Sequence, residues 1–134
     1  MSGEINLSAL LSTLSCKLHD GVFVFATLPN GHVPNGLDEV MRFRETEGTT
    51  LILSEAVAKS HSIPFEFRCR MITLNVHSSL EAVGFIAKIA TALASKGMGV
   101  NPVSGFYHDH LFLPVGREND ALQVINGLRS AANR

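Results

Sequence analysis

Charge is scarce in this chain. Asp, Glu, Lys and Arg make up 17% of its 134 residues, against roughly a quarter in an ordinary soluble domain. The formal net charge is −1, and Lys and Arg are scattered. No basic run is interleaved with aromatics, so a surface that tracks nucleic-acid phosphates is excluded. Cysteine is equally sparse. Cys16 and Cys69 are too few and too far apart for a metal-ligand or redox motif, and read as two semi-buried thiols. No apolar run approaches the length that spans a bilayer, so no membrane partner is expected. Met1-Ser2-Gly3-Glu4 lacks the basic start and apolar core of a signal peptide, and a cytoplasmic location is expected. Without a secretory signal, the glycosylation pattern Asn6-Leu7-Ser8 carries no weight.

What is present is apolar. Hydrophobic residues account for 46% of the chain. That is enough for one ordinary domain or two very small ones sharing a core. Low charge in so small a protein fits a dense core or a surface covered by a second copy. Self-association as a homo-oligomer, a dimer, is the expectation.

Ile5 to Leu14 places Leu7, Leu10, Leu11 and Leu14 at helical spacing. Asp20-Gly21 turns the chain into Val22-Phe23-Val24-Phe25-Ala26-Thr27, an apolar run that predicts a strand covered on both faces. Leu28 to Gly36, with Pro29, Gly31, Pro34 and Gly36, is a loop. Glu39 to Glu45 predicts a short strand with Met41 and Phe43 on one face and Arg42 and Arg44 on the other. Thr49 to Leu53 is a further strand, and Ser54 caps a short helix with Glu55 in its first turn. Phe65 to Val76 predicts one long strand, with Arg68 and Arg70 opposite Cys69 and Met71. The next helix, Gly84 to Lys96, carries the apolar stripe Phe85, Ile86, Ile89 and Leu93, and Gly97 stands where a C′ glycine would end it. Val100 to Tyr107 and Leu111 to Val115 predict a hairpin turning at His108-Asp109-His110. Asp120 to Leu128 is a last amphipathic helix.

From Met71 onward the order is strand, helix, strand, strand, helix, most of a ferredoxin-like βαββαβ unit in an α+β fold. Val83-Gly84-Phe85-Ile86-Ala87-Lys88-Ile89-Ala90, then Leu93, then Gly97-Met98-Gly99-Val100-Asn101, resembles the ACT-domain signature. Gly84 matches the family's loop glycine and Asn101 the Asn after the helix. Ser104, Phe106 and Asp109, followed by Leu111-Phe112-Leu113, resemble the Ser, aromatic, Asp spacing of an ACT subgroup found in amino-acid sensors. Val83 replaces the family's Pro, His77 stands where an acidic residue is common, and Pro102 follows Asn101 where an aliphatic is usual. The first half resembles a degenerate second copy, giving ACT-like halves at 1–64 and 65–134 with antiparallel sheets and helices on one face. The whole chain is similar to small stand-alone bacterial proteins with two ACT-like halves and no catalytic domain.

The resemblance implies a regulatory module that binds an amino acid or related metabolite at an interface between paired ACT-like units. A physical basis can be given independently of it. Turn N–H groups around Ser79 to Gly84, at the positive end of a helix, can hold a carboxylate. The candidate ligand residues are His77, Ser78, Ser79, Val83, Gly84, Phe85, Asn101 and Val103, with Phe25 and Ile52 from the first half. Two readings of Gly84 stand, a glycine that admits a ligand and one that packs helix on sheet. Ser79 is read as a helix cap rather than an anion ligand. His108 and His110 would make two metal ligands without an identifiable third, so no metal and no cofactor is expected. His19, His32, His61 and His77 read as solvated or capping histidines. Asp38, Glu39, Glu45 and Glu47 have no acid–base spacing and read as a solvated face. No nucleophile–base–orienter set can be assembled, so a non-catalytic sensor is expected. The alternatives are a protein–protein adaptor and, more remotely, a small enzyme using the hairpin histidines.

Overall fold

The computed structural model describes residues 3–134. Met1 and Ser2, part of the segment read above for a signal peptide, lie outside the described residues. In chain order the elements are α1 (Leu7–Ser12), β1 (Cys16–Leu18), β2 (Phe23–Leu28), β3 (Glu39–Arg44), β4 (Thr49–Ser54), α2 (Glu55–Ser60), β5 (Glu66–Leu74), α3 (Phe85–Ala94), β6 (Asn101–Ser104), β7 (Asp109–Pro114) and α4 (Glu118–Ala132). Two compact units form. The first is Asp20–Cys69; the second joins the chain before it, through His19, to Arg70–Arg134.

In the first unit the strand order is β3-β4-β2-β5. The β2–β4 and β3–β4 pairs are antiparallel, with Phe25 opposite Ile52. Val24 and Ala26 enter a core with Leu37, Leu51, Leu53, Ala58 and Ile63. The expectation that β2 is covered on both faces is corrected, because Phe23 and Phe25 are only half-buried and Thr27 is exposed. Phe25 is shielded in part by the Phe67 ring, 5.7 Å away centre to centre. An aromatic pair therefore accounts for an apolar run that reads as fully buried. Ser54 accepts the Val57 N–H at 3.1 Å and caps α2 as predicted. Arg68 Nε–H donates to Glu55 at 2.6 Å. Along β5 the register slips between Cys69, opposite Phe23, and Glu66, opposite Phe25. The bulge holds Phe67 at φ +55°, so the long strand is interrupted where simple alternation was expected.

In the second unit β1 pairs antiparallel with β5, β5 lies beside β7, and β7 pairs antiparallel with β6. Each unit thus has the same sequence of strands, an outer hairpin followed by first and last strands. The last strand of the second unit is β1, which the sequence reading missed. Three residues, Cys16-Lys17-Leu18, are too few to display a period. The first unit lacks the first helix of a ferredoxin-like unit, and the Pro- and Gly-punctuated loop from Pro29 to Gly36 runs in its place.

The second core is built from Leu10, Leu14, Ile72, Leu74, Phe85, Ile89, Leu93, Leu111, Leu113 and Ile125. Phe85, Ile89 and Leu93, spaced by four, give α3 its buried stripe. Gly97 ends α3 as expected. Its N–H donates to the Ala94 carbonyl at 2.9 Å and that of Met98 to the Leu93 carbonyl at 3.3 Å. This is a Schellman closure with Gly97 at φ +74° and Met98 buried in the same core as Leu93. The hairpin turn is corrected. It runs from Gly105 to His108, closed by Gly105 N–H donating to the His108 carbonyl at 2.8 Å. Asp109 and His110 are therefore consecutive residues of β7. Of the two cysteines, Cys69 is buried and Cys16 half-buried. Burial pushes the Cys69 thiol up to about 11 and raises that of Cys16.

Candidate functional site

Between the loop that follows β5, the start of α3, the end of β6 and the start of β7, the second unit has a cavity of about 220 Å³, lined by Ser78, Ser79, Leu80, Ala82, Gly84, Phe85, Ile86, Ala87, Ser104 and Asp109. Two kinds of group wall it. One is the first turn of α3. Gly84 is its N-cap at φ +90°, ψ −7°, and no side chain caps the helix. Lys88 N–H is the first to bond back, to the Gly84 carbonyl at 2.9 Å. The amides of Phe85, Ile86 and Ala87 therefore have no helical acceptor, and these residues line the cavity at the positive end of the helix dipole. By contrast Asn6 caps α1 and Ser54 caps α2. The start of α4 has no side-chain cap either, although Glu118 accepts the Gly116 N–H at 2.6 Å just ahead of it.

The other group is a carboxylate. Asp109 is 5% exposed. Its Oδ2 accepts the Ser78 hydroxyl at 2.9 Å and its Oδ1 the Ser104 hydroxyl at 2.6 Å. Each oxygen retains a lone pair for a further donor. A positive helix end and a negative side chain thus line one small space, a pattern suited to a ligand with an anionic and a cationic end.

Backbone pairing fixes the loop. Glu4 N–H donates to the His77 carbonyl at 2.8 Å and Ser79 N–H to the Glu4 carbonyl at 2.9 Å. Ser79 Oγ accepts the Glu81 N–H at 3.1 Å, so Ser79 caps the turn within the loop rather than α3 itself. The Ser79 amide is engaged by Glu4, and those of Glu81 and Ala82 by Ser79. The amides at the start of α3 remain available to an anion.

Of the expected residues, Ser78, Ser79, Gly84 and Phe85 line the cavity. His77 does not. Its ring lies 5.4 Å from that of Tyr107, and its buried Nε2 has no partner. Val83 points away and is 84% exposed. Asn101 and Val103 lie on β6, outside the lining. Phe25 and Ile52 belong to the first unit, paired across β2 and β4. Asp109 and Ser104 were not among the expected ligands, although the Ser, aromatic, Asp spacing that contains them was visible. The packing reading of Gly84 finds little support, since a Cβ there would meet only Leu7 Cδ2, at 3.7 Å.

Just past β1, and on β5 and β7, a second polar cluster forms. The Thr73 hydroxyl is 2.7 Å from His19 Nε2 and 2.8 Å from His110 Nδ1. His19 is thus engaged rather than solvated, which corrects the expectation. Burial first, then His108 and His19, hold the His110 ring below the usual imidazole range, against the opposite pull of Asp109. Among the described residues no three His, Cys, Asp or Glu side chains converge as metal ligands. Nor, among them, is any helix long and apolar enough to cross a membrane.

The sequence matches the ACT domain over residues 2–70 and again over 66–129. Neither match is to a catalytic family. No curated protein matches the chain. A solved protein of unknown function from Vibrio cholerae, described as a possible transport protein, is 36% identical with a TM-score of 0.83, over 92% of this chain and 95% of that one. A protein from Agrobacterium tumefaciens is 15% identical with a TM-score of 0.70, over 87% and 89%. The regulatory subunit of aspartate kinase from Thermus flavus is 11% identical with a TM-score of 0.59, over 86% and 95%, a likeness of fold. The fold is α+β, of ferredoxin-like ACT units, and the chain belongs to the ACT-domain family, whose members are regulatory, ligand-binding modules.

Proposed function

We propose that this protein is a non-catalytic regulator that binds a small effector of the amino-acid class in the cavity at the start of α3. The observation that supports it is the pairing of the uncapped α3 N-terminus with buried Asp109 around one small space. The effector's carboxylate is taken by the amides of Phe85, Ile86 and Ala87, and its ammonium by Asp109, which Ser78 and Ser104 hold in place. Gly84 leaves the approach clear. At about 220 Å³ the cavity is below the size range of pockets for drug-sized ligands, which favours a compact metabolite. The family repeat is taken as 1–64 and 65–134, the protein as cytoplasmic, and its working form as a homodimer that covers the exposed Leu80 and Val83 beside the cavity.

The competing reading is an adaptor without a ligand. The exposed pair Phe106 and Tyr107, with rings 5.0 Å apart, favours it. A thermal-shift screen of the common amino acids separates the two. A rise in Tm that grows with the logarithm of ligand concentration, about 2.7 kcal/mol of stabilisation at a hundredfold excess over Kd, supports the sensor. No shift with any of them in folded protein leaves the adaptor.

A further inference from the structure

The first unit carries a concavity to which the ACT assignment gives no role. Its volume is about 260 Å³, and Gly31, Val33, Arg42, Arg44 and Thr49 line it. Arg42 and Arg44 stand two residues apart on β3, and Thr49 of β4 is the register partner of Arg44. The far rim is a tight turn in which His32 N–H donates to the Pro29 carbonyl at 3.0 Å. Asn30 pins that turn. Its Nδ2 donates to the Glu45 carbonyl at 2.8 Å, and its Oδ1 accepts the Thr49 hydroxyl at 2.7 Å. The rim is therefore held against β4.

The charges in this space are unequal. Arg42 donates to Glu39 Oε1 from Nε at 2.9 Å and from Nη2 at 2.8 Å, so a carboxylate balances it. Glu45 accepts the Thr50 hydroxyl. Among the described residues no carboxylate lies within ion-pair distance of Arg44. A concavity that holds one balanced and one unbalanced guanidinium has a surplus positive charge and forked donors. Those are the features that recognise phosphate and carboxylate oxygens.

We propose that this concavity is a second ligand site, which takes the oxyanion of a small molecule on the fork of Arg44, with Arg42 as the supporting donor. It stands independently of the amino-acid reading, because none of its residues lines the cavity at α3. The test is an NMR titration of the whole chain, following the arginine Nε–H signals and the Gly31 amide. Inorganic phosphate and acetate are added in separate arms, each against sodium chloride at equal ionic strength. The expected result is a saturable shift of Arg44 and Gly31 in one arm, which identifies the oxyanion. Arg129, on α4, should not follow. Arg44→Gln should weaken the binding by about tenfold or more, the worth of a hydrogen bond to a charged group. Saturation in neither arm overturns the proposal. So does a parallel shift of Arg129, or a titration unchanged in an Arg44→Gln protein whose other signals show it folded.

Discussion

Ser78 donates its hydroxyl to Asp109 Oδ2 at 2.9 Å, joining the loop after β5 to the first residue of β7 across 31 positions of sequence. Both residues are buried, so the bond is made where water does not compete. Asp109→Ala removes the acceptor of both Ser78 and Ser104. A buried donor left unpaired costs about 1–3 kcal/mol, and urea unfolding should show a loss of that size. Asp109→Asn keeps an acceptor oxygen and should cost less. A loss for Asp109→Ala within about 0.5 kcal/mol, as for a surface site, would mean that the two hydroxyls find other acceptors.

Gly84 tests backbone conformation without crowding. A methyl group there has room, with Leu7 Cδ2 at 3.7 Å, but φ is +90°. Gly84→Ala should therefore destabilise by about 1–2 kcal/mol through the left-handed penalty alone. A neutral result would show that the turn into α3 relaxes to negative φ. Gly84→Val adds a branched side chain at the helix start and should abolish effector binding.

Gly3 is the reverse case. A Cβ on it would stand 2.7 Å from the Ser79 backbone nitrogen. Gly3→Val should push the Glu4 backbone away from His77 and Ser79 and expose the Ser79 amide. Hydrogen exchange at Ser79 should then quicken relative to Ile89 in α3. Unchanged exchange at Ser79 would show that the Glu4 pairing does not hold the loop.

The lowered His110 titration sets a direction for pH. Above about pH 6.5, the ordinary imidazole value, the ring is neutral in both states. As pH falls through that value the unfolded chain takes up the proton first. Stability is therefore lost until the folded ring titrates, and then levels. Glu55 and Glu118 are also held low, Glu55 chiefly by the Arg68 hydrogen bond and Glu118 chiefly by its own backbone amide. Their contribution is lost only as pH falls through the carboxylate range. Urea midpoints at about pH 5.5 should lie below those at about pH 7.5, and His110→Gln should flatten the difference. An equal slope in the variant would assign the effect elsewhere.

Legibility in the sequence followed period and punctuation. α3 was readable because Phe85, Ile89 and Leu93 repeat at helical spacing and Gly97 closes them, and the Schellman bonds of Gly97 and Met98 bear this out. β1 was not, because three residues carry no period. The hairpin turn was misplaced for a chemical reason. His108-Asp109-His110 is polar and reads as a turn, yet Asp109 is polar because it serves a cavity and His110 because it meets Thr73. Half of the candidate site, the loop and Gly84, was accessible from local rules. The other half, Asp109 with Ser104, lies in a hairpin spacing that was visible, but it meets the loop through the Ser78 bond across 31 positions, which no local spacing encodes.

The pairing of a helix start with Asp109 as a cradle for an amino acid is tested most directly by calorimetric titration. The common L-amino acids are titrated into wild-type protein and into Asp109→Asn, which keeps a hydrogen-bond acceptor but loses the charge. The account predicts saturable binding of at least one amino acid to the wild type. It also predicts affinity lower by about tenfold or more in Asp109→Asn, the worth of a charge-assisted bond. Binding of equal strength in the two proteins, or no binding of any amino acid to the wild type, would contradict it.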